Sequence, residues 1–270
     1  MTNIYGSIGF SFLFDNDRNR YILILADMHS KLSYCDNSPI KINEWFLNKI
    51  KSSSILLEEV PRSNVELKEL WSESPHTQDL KNLFLKNSDI IHALDIRPSL
   101  IPFSWELIKL DVPNIKLNEY LETINKFFNF EIEQIKKILN HIYSKSYLTG
   151  SKLGKHYDIV KNNYDKYLLK YNKFLNDQIF NIYNSNIDIL ENINIILDEI
   201  MEWFILAKIE SLNNNIIIHT GLAHSEKTLK WLIELYNCKL IYFSGVNKFS
   251  EINNITHGCV NIPLKIDKIL

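Results

Sequence analysis

The sequence predicts an α/β fold: a mixed, mostly parallel central sheet built from two β-α-β halves, with a large helical insertion between them. Three observations predict it. Short apolar, largely β-branched runs (Tyr21 to Leu25, Ile55 to Leu57, Ile216 to Thr220) alternate with segments of helical period at both ends of the chain. Two of these runs lead into the same pattern of small residue, two spacers, His and Ser: Ala26-Asp27-Met28-His29-Ser30 and Gly221-Leu222-Ala223-His224-Ser225. From about Ile115 to Leu212 no β-run occurs, and long helical stretches follow one another. The chain is therefore expected as a single α/β domain over 1–270, with 1–112 and 213–270 as the two halves of the core and 113–212 as the insertion.

The elements follow in order. Ile4 to Phe14 is β-branched and aromatic, Asp15-Asn16-Asp17-Arg18-Asn19 is a turn, and Tyr21 to Leu25 completes a hairpin. Lys41 to Ser52 sets Ile42, Trp45, Phe46 and Ile50 at helical spacing, and Ser54 to Val60 is a buried strand closed by Pro61. Leu67 to Trp71 and Thr77 to Asn87 read as helices, the second capped by Ser74 or Thr77. Asp89 to Ile96 reads as a third core strand. Leu117 to Tyr143, Tyr157 to Tyr183 and Ile187 to Leu212 form the helical insertion, with a loop at Tyr147 to Gly154. Strands at Asn215 to Thr220 and Lys239 to Phe243 flank a helix from Glu226 to Tyr236. Cys259 to Pro263 reads as an edge strand.

Composition narrows the function classes. The net charge of −2 supplies no basic surface for nucleic acid or anionic membrane. No run of about 18 apolar residues is present to span a bilayer, and the charges of Asp188, Glu191, Asp198, Glu199, Glu202 and Lys208 exclude a span in the helix from Ile187 to Leu212. Met1 to Phe14 lacks the basic start and cleavage site of a signal peptide. Cys35, Cys238 and Cys259 are widely spaced without a CxxC pair, which predicts three reduced thiols in a cytoplasmic protein. The abundance of Asn, Ile, Lys and Tyr reflects AT-rich codons and carries no functional meaning. His219 reads as a buried strand residue, and His76, His92, His141, His156 and His257 as surface or packing residues.

Polar groups gather at the predicted strand ends: Asp27 and His29, Glu58 or Glu59, Asp95 and Arg97, and His224 with Ser225. In a parallel sheet these ends converge on one crevice. Adjacent strand residues point to opposite faces, so one of Glu58 and Glu59 faces the crevice. Glu58 is preferred because it follows directly on the apolar run. Two imidazoles and a carboxylate suit a divalent metal with an open position. They serve equally as general base and general acid without metal. Arg97 would bind an oxyanion or a carboxylate.

These motifs, Ala26 to His29 and Gly221 to His224 with the strand-end Glu58 and the Asp-x-Arg of Asp95 to Arg97, resemble those of the Tiki/TraB/erythromycin esterase/ChaN-like superfamily. The likeness covers roughly residues 20 to 100 and 215 to 245, and the first copy has Ala26 where that superfamily usually has Gly. Its members include metal-dependent proteases, esterases and haem-related proteins on an α/β core with helical insertions. The resemblance implies an amide or ester hydrolase acting on a small molecule or a peptide. It further implies His29, Glu58 and His224 as ligands of Mn²⁺, Zn²⁺ or Co²⁺ or as the acid/base set, and Arg97 as a substrate-positioning group. Asp27, Glu59, Asp95 and Ser225 would support them or touch substrate. The rival from another class is a non-catalytic binding or virion-associated protein that retains the fold.

Overall fold

The structure is a computed structural model, and it describes residues 1–28, 33, 35, 38–60, 75–103, 115–132 and 150–270. Elements are numbered along these described residues. The chain divides into two compact units, one made of Met1–Pro61, Leu67–Leu94 and Lys208–Leu270, the other chiefly of Asp95–Ala207.

The first unit holds the sheets. Strands β1 (Thr2–Tyr5), β2 (Gly9–Asp15) and β3 (Arg20–Asp27) open the chain. The single strand expected from Ile4 to Phe14 is broken at Gly6, whose φ of 115 lies in the region that favours glycine. A Cβ there would also meet Ile42 Cγ2 at 2.6 Å. β1 departs into a small sheet of order β4-β1-β9, with β4 at Ile40–Lys41 and β9 at Cys259–Ile262. β2 and β3 form the expected hairpin around a turn in which Asn19 takes a φ of 50, a conformation asparagine tolerates.

The central sheet has the order β6-β5-β7-β3-β2-β8, with β5 at Ser53–Leu57, β6 at His92–Ala93, β7 at Asn215–Gly221 and β8 at Cys238–Gly245. β6, β5, β7 and β3 are parallel, and β2 is antiparallel to both its neighbours. The fold is thus mixed α/β with a mostly parallel sheet. The two β-α-β halves interleave, because β7 enters between β5 and β3. Its run Ile216 to Thr220 is buried throughout, as a strand covered on both faces must be.

β6 is shorter than the Asp89 to Ile96 run predicts. The Asp95 carboxylate accepts a hydrogen bond from the Arg97 N–H at 3.1 Å, and Arg97–Ser99 forms a 3₁₀ turn around Pro98. This local turn chemistry outcompetes the ladder.

Helices α1 (Ile42–Lys49) and α2 (Pro75–Lys86) cover one face of the sheet. Trp45, Phe46, Leu80 and Phe84 pack there with Leu23, Leu25, Leu57 and Ile217. The helix numbered α8 (Leu222–Glu234) packs on β3, β7 and β8. A terminal helix, α9 (Leu264–Ile269), had no counterpart in the sequence reading. It is tied down by Asp267, which accepts from Thr2 Oγ1 and Trp45 Nε1 at 2.8 Å each.

The expectation of three reduced thiols is overturned. Cys35 and Cys259 form a disulfide with Cα atoms 6.1 Å apart, while Cys238 is free and buried. The partners stand 224 residues apart, so no spacing rule could reveal them. Hydrogen bonds from Gly258 N to Ser33 O (3.1 Å) and from Ser33 Oγ to Thr256 O (3.0 Å) fasten the same two segments. Reduction, or the Cys35→Ser/Cys259→Ser double variant, is expected to cost about 2–4 kcal/mol of stability. The measurement is the urea midpoint with and without dithiothreitol.

In the second unit α3 (Leu117–Tyr120) and α4 (Glu122–Phe128) precede α5 (Lys152–Tyr171), α6 (Ile179–Ser185) and α7 (Asp188–Ser211), the last ending in the first unit. Ser151 caps α5 by accepting from Gly154 N at 2.9 Å. The predicted apolar stripe of α7 becomes all-round burial from Ile200 to Ala207. Most of the aromatic residues are core, Phe180 at 50% exposed being an exception: Phe128 stacks on Tyr164 at 4.8 Å, and Trp203 Nε1 donates to Leu153 O at 3.1 Å. The helix expected at Leu67 to Trp71, the cap Ser74 and the stretch from Gln134 to Thr149 lie outside the described residues.

His156 on α5 is buried, and desolvation pushes its pKa down from 6.5 to about 4. The unfolded chain therefore binds the proton first. The stability this neutral imidazole contributes is complete above pH 6.5 and is lost as pH falls to about 4. His156→Phe is expected to flatten the acid limb of the stability–pH curve by about 3 kcal/mol, read from urea unfolding between those pH values.

Among the described residues, no helix is long and apolar enough to cross a membrane.

Candidate functional site

Register builds the site from three neighbouring strands. β3 and β7 pair Asp27 with Gly221, and β5 and β7 pair Leu57 with His219. The ladder continues one residue further, since Glu58 N–H donates to His219 O at 3.0 Å. Asp27, Gly221 and Glu58 are thereby set in a row along the C-terminal edge of the parallel strands. The strand ends of the two His-containing motifs are direct neighbours.

Glu58 and His224 meet at this edge. Gly221 is the N-cap of α8, which places His224 in the first helical turn. Glu58 Oε2 accepts the Gly221 N–H at 2.5 Å, and Oε1 stands 3.8 Å from His224 Nε2. Both side chains are under a tenth exposed, at 4% for Glu58 and 8% for His224. The 3.8 Å separation exceeds a hydrogen bond and is within ion-pair range. The carboxylate lies at the start of a 13-residue helix, where the backbone dipole favours negative charge.

Ser225 anchors the same turn. Its Oγ donates to Thr220 O at 3.0 Å and lies 2.9 Å from Thr220 Oγ1. Thr220 follows His219 in the strand and points to the opposite face. His219 is buried on the α1 side, with Nε2 2.9 Å from Gly6 O and its ring edge-on to Phe46.

Asp27 has a partner that the sequence reading missed. His76, in the first turn of α2, places Nε2 2.8 Å from Asp27 Oδ1, both side chains being almost fully buried. His76 is therefore neither a surface residue nor simple packing. Among the described residues, its Nδ1 has no hydrogen-bond partner. The available signal was Pro75 at the helix start, which fixes the following residue in the first turn. Nothing local pointed to Asp27, 49 positions earlier.

The remaining candidates fall elsewhere. His29 and Ser30 lie outside the described residues. Glu59 N–H donates to Leu57 O at 2.7 Å, continuing the turn after β5. Asp95 and Arg97 belong to the second unit, where Arg97 grips Asp95 through two nitrogens, Nε at 2.8 Å and Nη2 at 3.1 Å. Its Nη1 donates to Asp198 Oδ1 at 2.7 Å.

Among the described residues, no three His, Cys, Asp or Glu side chains gather closely enough to hold a metal ion. Glu58 and His224 offer two donors, and two donors alone do not make a divalent site. What the described pair can do is move a proton: an imidazole backed by a carboxylate is an acid/base unit.

No protein-family model, no curated protein and no solved structure matches the chain.

Proposed function

We propose that this chain is a hydrolase that cleaves an ester or amide bond with activated water, as a divergent relative of the Tiki/TraB/erythromycin esterase/ChaN-like superfamily. The observation that carries the reading is the buried Glu58–His224 pair, 3.8 Å apart at the C-terminal edge of parallel strands. His224 acts as general base, its imidazole taking a proton from the water that attacks the carbonyl carbon. Glu58 lies beside the imidazolium that results and offsets its charge. The Gly221 N–H holds that carboxylate in place. The imidazolium then returns the proton to the departing oxygen or nitrogen.

His29 is the second imidazole of the proposal, as general acid or as the third metal donor. Mn²⁺, Zn²⁺ or Co²⁺ would suit the His/His/Glu set, polarising the carbonyl and acidifying bound water. The substrate is a small molecule or a peptide. Arg97, already bonded to Asp95 and Asp198, fits a structural ion pair better than substrate positioning. A cytoplasmic setting, or a virion for a viral chain, belongs to the proposal too. The Cys35–Cys259 disulfide makes it testable, since such bonds are rare in reducing compartments. Protein alkylated at the moment of lysis reports the redox state.

One observation favours a second reading. The Gly221 N–H bond makes Glu58 a tertiary cap for α8, a job that a non-catalytic binding or virion-associated protein would keep. Hydrolysis of p-nitrophenyl butyrate and of a fluorogenic peptide library, with and without added Mn²⁺, separates the two. Wild-type turnover should fall by about 10²–10⁴ in His224→Ala and in His29→Ala. Equal rates in wild type and both variants would reject the hydrolase.

A further inference from the structure

The Cys35–Cys259 disulfide packs against the strand ends that carry the candidate site. Cys259 is the first residue of β9, an edge strand of the small sheet, and it stands opposite Tyr5 in the β1–β9 ladder. It is buried in a small apolar cluster with Tyr5, Ala26 and Leu222, and the half-buried Cys35 packs against the same cluster. Ala26 is the small residue that opens the first His motif, one position before Asp27. Leu222 lies between Gly221, whose N–H holds Glu58, and His224. The bridge therefore shares one packed group with the strand end of each motif. A second contact runs the same way: Tyr5 stands edge-on to His76 with ring centroids 6.1 Å apart, and His76 Nε2 is 2.8 Å from Asp27 Oδ1.

The surroundings of the bond suit reversible reduction rather than a fixed staple. The apolar cluster between the central sheet and helices α1 and α2 contains no cysteine, so the main core is built without the bridge. The four pairings of β9 with β1 do not depend on the sulfur atoms either. Cys35 is the less buried partner, which gives a small thiol access to its sulfur first. The hydrogen bonds from Gly258 N to Ser33 O and from Ser33 Oγ to Thr256 O hold the same two stretches of chain together without the bridge. Reduced thiols kept close in this way re-form the bond within one molecule.

We propose that Cys35 and Cys259 form a thiol–disulfide switch that regulates the candidate site, the oxidised form being the one that holds the strand ends in place for turnover. For what is regulated, the inference rests on the hydrolase reading; the coupling of bridge to strand ends does not. The reductant is a small thiol of the glutathione class. Its thiolate attacks the Cys35 sulfur, and the S–S bond breaks to release the Cys259 thiolate. A second small thiol attacks the outer sulfur of the mixed disulfide and releases Cys35. Two electrons and two protons pass to the protein's cysteines, and the two small thiols leave joined as their own disulfide. Without the bridge the cluster loosens, and with it the Ala26 and Leu222 backbone beside Asp27, Gly221 and the Glu58–His224 pair.

The test equilibrates the full chain in glutathione buffers from fully reducing to fully oxidising and counts free thiols by the mass added with a maleimide. Backbone hydrogen exchange and hydrolysis of p-nitrophenyl butyrate and the peptide library are followed in the same samples. The expected result is one reversible transition in which two thiols appear together. On reduction, amides in the peptides that contain Ala26 and Leu222 should accelerate at least about tenfold more than those of β5, which lies outside the cluster. Turnover should fall at least about tenfold and return on reoxidation. Cys35→Ser/Cys259→Ser should match the reduced form and ignore glutathione; if that variant does not fold, the wild-type titration decides alone. Equal acceleration in β5 overturns the proposal by making the bridge a staple for the whole fold. A bond that glutathione does not open overturns it as well, as does an active protein with the same turnover in both states. If neither state turns over any substrate, the hydrolase reading fails and the exchange comparison alone decides the coupling.

Discussion

Arg20→Ala is expected to lower the unfolding free energy by about 3–5 kcal/mol, read as a fall in the urea midpoint. Arg20 is buried at the start of β3. Its Nε donates to Asp15 Oδ2 and its Nη2 to Ile209 O, each at 2.9 Å, and its Nη1 donates to Leu212 O. One guanidinium thus closes the β2–β3 hairpin and satisfies carbonyls at the C-terminus of α7, where positive charge is favoured. Burial pulls its pKa below the ordinary range while the Asp15 carboxylate holds it up. Truncation strands Asp15 without its counter-charge and takes one of two donors from each of the Ile209 and Leu212 carbonyls, which keep the Leu212 N–H and Arg18 Nη1 respectively. Arg20→Lys keeps the charge but not the planar fork, and should recover only part of the loss. An alanine variant within about 1 kcal/mol of wild type would show that water replaces all three bonds.

The second large effect is on turnover. Glu58→Gln is expected to reduce kcat/KM by about 10²–10⁴ with little change in the urea midpoint. The glutamine oxygen still accepts the Gly221 N–H, so the cap on α8 survives while the charge beside His224 is gone. Under the proposed hydrolase mechanism Glu58 and His224 act as a unit, so the Glu58→Gln/His224→Ala double variant should be no slower than the worse single one. Activity of Glu58→Gln within tenfold of wild type would leave Glu58 as a cap and nothing more. Glu58→Ala separates the roles from the other side, since it also strands the buried Gly221 N–H and should cost about 1–3 kcal/mol of stability.

Much of the fold was legible because its signals are local. The turn at Asn16 to Asn19, the β-branched run of β7 and the helical spacing of Ile42, Trp45 and Phe46 are each written within a few residues. The failures are of two kinds. Gly6 and the Asp95–Arg97 turn broke strands that propensity alone would continue, because one backbone angle or one side-chain bond decided the matter. The Asp27–His76 pair and the Cys35–Cys259 disulfide join positions that nothing local connects. The candidate site was legible to the extent that strand-end residues on parallel neighbours must lie together. That logic applies to Glu58, one residue past β5, and to His224, in the first turn after β7. It did not extend to Arg97, since the strand expected to deliver it stops at Ala93.

The interleaving of β7 between β5 and β3 has a consequence for biosynthesis. When the ribosome has delivered Leu57, β2, β3 and β5 exist, but the strand that joins β3 to β5 begins only at Asn215. At about 5–20 residues per second the nascent chain carries two sheet fragments with open edges for on the order of ten seconds. Apolar faces on β3 and β5 then wait without their central partner. A chaperone that shields strand edges during that interval should raise the yield of native protein more than one acting after release.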